Sequence, residues 1–97
     1  MADFPHREEI LRALSSNDRV EEVILFGSRV KGSFRKNSDV DLAVKTAGEL
    51  PFREKRKLRE KVDEAAGIYS VDLLFWDEIS EEMREQVERE GVRVWKR

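Results

Sequence analysis

The sequence predicts an α/β (α+β) fold, a small mixed β-sheet with flanking helices, on three observations. Apolar residues gather in short runs of strand length, such as Val23-Ile24-Leu25-Phe26 and Leu73-Leu74-Phe75-Trp76. Between these runs lie longer stretches whose apolar residues recur at helical spacing among charged ones. The two kinds alternate along the whole chain, the pattern of a sheet with helices packed on it.

Taken in order, Phe4-Pro5 followed by Ile10, Leu11 and Leu14 predicts a first helix, with Pro5 at an early position where its missing N–H costs nothing. Ser15-Ser16-Asn17-Asp18 ends it. Val20–Phe26 is too short and too apolar at its end for a helix and predicts a buried strand running into Gly27. A helical turn follows Ser28 and closes at Gly32, and residues 40–45 form a second strand. Pro51 opens a long helix in which Phe52, Leu58, Val62 and Ala65 or Ala66 share a face, and Gly67 stops it. Residues 68–76 predict a third strand, with Tyr69 inside it. Asp77 or Ser80 can cap a last helix carrying Ile79, Met83 and Val87, and Gly91 leaves residues 92–95 as a short edge strand.

With 97 residues the chain predicts a single domain over residues 1–97 with a small core. No apolar run has the length needed to span a bilayer, and the start lacks a basic region followed by an apolar stretch, so a cytoplasmic location is expected. Absence of Cys excludes disulfides and thiolate chemistry. A net charge of −2 argues against a domain that grips long nucleic acid through its overall field. Locally, Arg29, Lys31, Arg35 and Lys36 form a cationic run, whereas residues 77–90 are mostly acidic. Abundant Glu, Lys and Arg with few amides resemble the bias of heat-adapted proteins.

The chemistry concentrates in two short motifs. A strand that ends in Gly27-Ser28 before a helical turn makes a phosphate cradle: glycine admits close backbone approach, serine adds a hydroxyl donor, and the amides at the helix start point at the anion. Taken alone, the pair describes many ordinary turns. Asp39 and Asp41 stand two apart, so on a strand both carboxylates project from one face. Such oxygen ligands suit Mg²⁺, which takes one or two carboxylates and completes its shell with water and substrate phosphates. Alone, Asp-x-Asp describes many solvated edge strands. Asp72 precedes an apolar run in a strand predicted to be buried on both sides, where a carboxylate is costly unless paired or metal-bound. It can join Asp39 and Asp41 if the third strand lies beside the second, or reach water or Lys45. The combination is what discriminates, since Gly-Ser, ten residues and Asp-x-Asp occur together by chance in roughly one chain of this length in a thousand.

Leu25-Phe26-Gly27-Ser28-Arg29-Val30-Lys31-Gly32 followed by Ser38-Asp39-Val40-Asp41-Leu42 resembles the polymerase-β-like nucleotidyltransferase superfamily. Within it the chain is similar to the MNT group, the minimal nucleotidyltransferases paired with HEPN-domain proteins in toxin–antitoxin modules. Members commonly carry Arg-Ala-Arg-Gly where this chain has Arg29-Val30-Lys31-Gly32, a departure that keeps the charge. The resemblance implies the polymerase-β-like fold. It implies that Gly27 and Ser28 contact nucleotide phosphates, that Asp39 and Asp41 hold metal and that Asp72 completes the metal site. Arg29, and to a lesser degree Lys31, would neutralise the triphosphate or stand as solvated loop cations.

The expected activity is transfer of AMP from ATP, with two Mg²⁺ ions, to a hydroxyl of another macromolecule. Smallness leaves no domain to hold the acceptor, so a partner is expected to present it. By resemblance that partner is a HEPN toxin modified on a tyrosine, which makes this chain the antitoxin, and a homo- or hetero-oligomer is allowed. Two alternatives stand beside this: a binding module that neutralises its partner by contact alone, and a nucleotidyltransferase for a small-molecule or nucleic-acid acceptor. His6 is expected at the surface, the cations of the long helix on a solvated face, and Trp76 and Trp95 in packing roles.

Overall fold

A computed structural model describes residues 3–32 and 39–97. Arg35, Lys36 and Ser38 lie outside the described residues. The elements are α1 (Arg7–Ser15), β1 (Val20–Phe26), α2 (Ser28–Lys31), β2 (Val40–Thr46), α3 (Phe52–Ala66), β3 (Val71–Phe75), a 3₁₀ turn (Trp76–Glu78), α4 (Glu81–Glu90) and β4 (Val92–Lys96). The four strands form one sheet in the order β3-β2-β1-β4. β1 runs antiparallel to β2 and β4, while β2 and β3 are parallel and joined through α3. The sheet is therefore mixed, as predicted.

Strand alternation sorts the core into two clusters. One sheet face carries Val23, Leu25, Val40, Leu42, Val44, Leu73 and Phe75, which pack against Ile10 and Leu14 of α1 and Leu58 and Val62 of α3. The opposite face carries Ile24 and Ala43, covered by Val87 of α4 with Phe26 and Trp76 beside them. Asp41 and Asp72 fall on this second, thinly covered face, so the fold keeps carboxylates out of its larger core.

Several local expectations change. α1 begins at Arg7 instead of near Pro5, because His6 adopts a left-handed conformation (φ 56°) that cannot continue a helix backwards. Its ring stays exposed, as expected, and lies 5.7 Å from that of Tyr69. β3 is shorter than predicted, and Tyr69 belongs to the turn before it. Ser80, and not Asp77, caps α4, accepting a hydrogen bond from the Met83 N–H. Asp77 instead binds Lys55, whose Nζ lies 3.0 Å from Asp77 Oδ2 and 3.0 Å from Glu78 Oε2. Lys55 is thus buried, contrary to the expectation of a solvated cationic face along the whole of α3. Trp76 and Trp95 pack against the two clusters, as expected.

Candidate active site

The two motifs meet because β1 and β2 are antiparallel neighbours. Their register pairs Phe26 with Asp41, so the last residue of β1 stands opposite the second aspartate of Asp39-Val40-Asp41. Gly27, the next residue, has φ 80° and ψ −152°, a backbone region that L side chains rarely adopt. A Cβ at Gly27 would collide with the Asp41 carboxylate. Glycine is therefore required twice over, by torsion and by space, and Asp41 is held directly against the candidate phosphate loop.

Gly27 C=O accepts from the N–H groups of Val30 and Lys31 at 3.2 Å each, which closes the single turn of α2. The Ser28 amide precedes these bonds, at the helix start where N–H groups lack intrahelical acceptors. Ser28 is half-buried at the rim of the site. Arg29 is buried, at 8% exposure, so it is not the solvated loop cation of the simpler alternative. Lys31 turns away towards α4, with Nζ 3.6 Å from Glu90 Oε1.

Asp72 stands beside Asp41 in the parallel β2–β3 register. The third strand does lie next to the second, and paired residues of neighbouring strands share a face at a strand spacing of about 4.8 Å. Asp72 is nevertheless exposed, because β3 is an edge strand and is not covered on both sides. Lys45, the alternative partner considered for Asp72, is engaged elsewhere: its Nζ lies 2.7 Å from Glu88, 3.8 Å from Glu22 and 4.4 Å from the centre of the Trp76 ring. Asp39 precedes β2 and is exposed.

Burial first, then the negative charge of Asp72 and of Asp39, raises the Asp41 pKa above the ordinary carboxylate range. Carboxylates that raise one another's pKa in this way are relieved by a divalent cation, the simplest group to neutralise them. Among the described residues no group of three His, Asp or Glu side chains is gathered closely enough to hold a metal ion by itself. Mg²⁺ needs only one or two carboxylates, its shell being completed by water and substrate phosphate oxygens, and Asp41 with its acidic neighbours offers that donor type. The residues present fit a magnesium–nucleotide complex on this ground. Sequence reasoning missed Lys55, Asp77 and Glu78, which brace the end of β3 behind the site; its one available signal was a lysine at i−3 from Leu58, on the apolar side of α3.

Comparison with known proteins places these features in context. The family described as Polymerase beta, Nucleotidyltransferase matches residues 8–97. "Probable protein adenylyltransferase MntA" of Haemophilus influenzae is 42% identical over 64 residues, which is 66% of this chain and 56% of that protein. The aligned region thus spans little more than half the length of that relative. A crystal structure of a toxin–antitoxin with AMP-PNP superimposes with a TM-score of 0.80 at 28% identity, covering 97% of this chain and 75% of that one. A tri-AMPylated Shewanella oneidensis HEPN toxin in complex with MNT antitoxin gives a TM-score of 0.73 at 25% identity, covering 95% of this chain and 71% of its counterpart.

Proposed function

Because the chain belongs to the polymerase-β nucleotidyltransferase family, we propose that it transfers AMP from ATP to a tyrosine hydroxyl of a HEPN-domain toxin and acts in the cytoplasm as the antitoxin. The observation that carries this is the contact of the Asp41 carboxylate with Gly27, which joins a phosphate-binding turn to a carboxylate group in one place. Similarity to a toxin–antitoxin with AMP-PNP and to an MNT antitoxin bound to an AMPylated HEPN toxin supports the choice of nucleotide and acceptor.

In this reading Gly27 and Ser28 bind the triphosphate through backbone N–H groups and the Ser28 hydroxyl, and Arg29 offsets part of its charge. Asp39, Asp41 and Asp72 would hold two Mg²⁺ ions, which when bound neutralise developing phosphate charge and favour ionisation of the acceptor hydroxyl. The acceptor oxygen forms a bond to the α-phosphorus, and the bond from that phosphorus to the bridging oxygen breaks. Pyrophosphate leaves with the electron pair, and the hydroxyl proton passes to an Asp72 carboxylate oxygen. Positioning and charge neutralisation are the main demands of such a transfer, so a small chain can meet them.

The test combines the full chain, Mg²⁺, α-labelled ATP and a HEPN-domain protein. Label on a tyrosine of that protein, lost with Asp39→Asn plus Asp41→Asn, is expected. An unlabelled partner that is still neutralised by the double variant would replace this reading with inhibition by contact alone.

A further inference from the structure

Among the described residues, the strand that carries Asp72 is the terminal strand of the sheet, and β3 pairs only with β2. Val40 N–H donates to Ser70 C=O at 2.9 Å, which fixes which backbone groups face β2. In a strand the N–H and C=O of one residue point the same way and successive residues alternate, so Asp72 and Leu74 bond towards β2. Val71 and Leu73 therefore direct their N–H and C=O groups away from the sheet. Along that outer edge runs a cleft of about 290 Å³, walled by Val71, Asp72 and Leu73 on β3 and by Arg59, Val62 and Asp63 on α3. It opens beside the carboxylate group of the candidate active site.

Charge in the cleft is not balanced. Arg59 is already committed, with its guanidinium 3.4 Å from Glu78 and 4.8 Å from the centre of the Phe75 ring. Asp63 and Asp72 are both exposed, and among the described residues neither makes an ion pair. The edge thus directs two backbone donors and two backbone acceptors, from Val71 and Leu73, outwards at strand spacing beside two exposed carboxylates.

We infer that the acceptor protein docks here as an extended segment that adds a fifth strand to the outer edge of β3, with a Lys or Arg next to the residue that receives AMP. The inference rests on the proposed transfer to a protein hydroxyl and specifies how that hydroxyl is presented. Strand addition draws affinity from main-chain bonds and specificity from alternate side chains. A residue in register with Asp72 projects its side chain onto the face that carries Asp72 and Asp41, where its hydroxyl meets the carboxylate group. Its immediate neighbours project to the other face, towards α3, where the exposed Asp63 meets a cation. Alternation alone therefore separates the reacting position from the recognised one.

Two synthetic peptides, identical except that Lys or Glu flanks a single Tyr on both sides, test this with the full chain, Mg²⁺ and α-labelled ATP. The Lys peptide is expected to have a KM about fivefold lower, the size of one partly exposed ion pair, at a similar kcat. Asp63→Lys should remove or reverse that preference. Val71→Pro should raise KM for both peptides, because it deletes one outward N–H at an edge position that tolerates proline. Nucleotide affinity should be the same in both variants as in the parent chain. If neither peptide is labelled, the same variants are assayed on a HEPN-domain protein as acceptor. Unchanged KM in Asp63→Lys and Val71→Pro, with label still transferred, would overturn the docking inference and leave the proposed activity standing. No label on any protein or peptide would overturn the activity, and the docking inference with it.

Discussion

Gly27 and Asp41 constrain each other, and their contact is where a single substitution should act most sharply. Gly27→Ala must adopt a positive φ and push the Asp41 carboxylate aside. The torsional part costs roughly 1–3 kcal/mol in this essentially glycine-only region, which thermal melting will register as a lower Tm. The displaced carboxylate matters more for function, since a shift of about 1 Å at a reacting centre can cost about a hundredfold in rate. We expect AMP transfer by Gly27→Ala to fall by at least that factor. Asp41→Asn should behave in the opposite way towards stability. It removes a charge that burial and the neighbouring aspartates disfavour, so its Tm without divalent ions should rise by a few degrees while transfer is lost. Adding Mg²⁺ should raise the Tm of the parent chain and leave that of Asp41→Asn nearly unchanged. A parent chain indifferent to Mg²⁺ would count against the carboxylates as ligands.

The contact between α3 and the turn after β3 is held by ions within an otherwise apolar setting. Lys55 sits 5.5 Å from the centre of the Phe75 ring and bridges Asp77 and Glu78, which follow β3 directly. Burial by itself lowers its pKa, but hydrogen bonds and charge from Asp77 and Glu78 more than offset that, and the net shift is upward from 10.5. A lysine whose pKa is raised by folding contributes stability that is full below the unfolded value and is lost as pH rises through the folded one. Urea denaturation should therefore show stability declining above about pH 10.5. Lys55→Met keeps the aliphatic volume and removes the charge. It should lower stability at neutral pH by about 1.5–3 kcal/mol, the range for hydrogen bonds to charged groups, and should flatten the alkaline decline. An unaltered decline in the variant would assign that titration to other groups.

At the scale of the molecule, strand order decides which chemistry is accessible. β1 and β2 lie inside the sheet and carry the proposed phosphate turn and Asp41, whereas β3 lies at an edge and carries Asp72. Nucleotide and acceptor can then approach from different sides of one carboxylate group. Binding should also stabilise the whole fold, since a ligand at a hundred times its Kd contributes about 2.7 kcal/mol to a native state that alone can bind it. Mg²⁺ with a non-hydrolysable ATP analogue should thus raise the Tm clearly more than Mg²⁺ alone, and equal shifts would argue against nucleotide binding.

Much of this was legible in the chain itself. Element types follow from local periods, which depend only on a few adjacent residues, and Gly27-Ser28 with Asp39-Val40-Asp41 marks the candidate site because the two motifs flank a single reversal of direction. Asp72 was legible as a candidate and its neighbours were not, since pairing partners lie far apart in sequence and leave no periodic trace. The left-handed His6 that starts α1 late, and the burial of Lys55 in a helix whose Arg53, Arg56, Lys57 and Lys61 remain exposed, depend on contacts with other elements. The sequence by itself determined the alternation of helices and strands, the family and the residue types available for chemistry. Only the tertiary structure decided that Asp41 touches Gly27, that Asp72 lies on an open edge and that Lys55 is buried, because register, strand order and burial come from packing between distant segments.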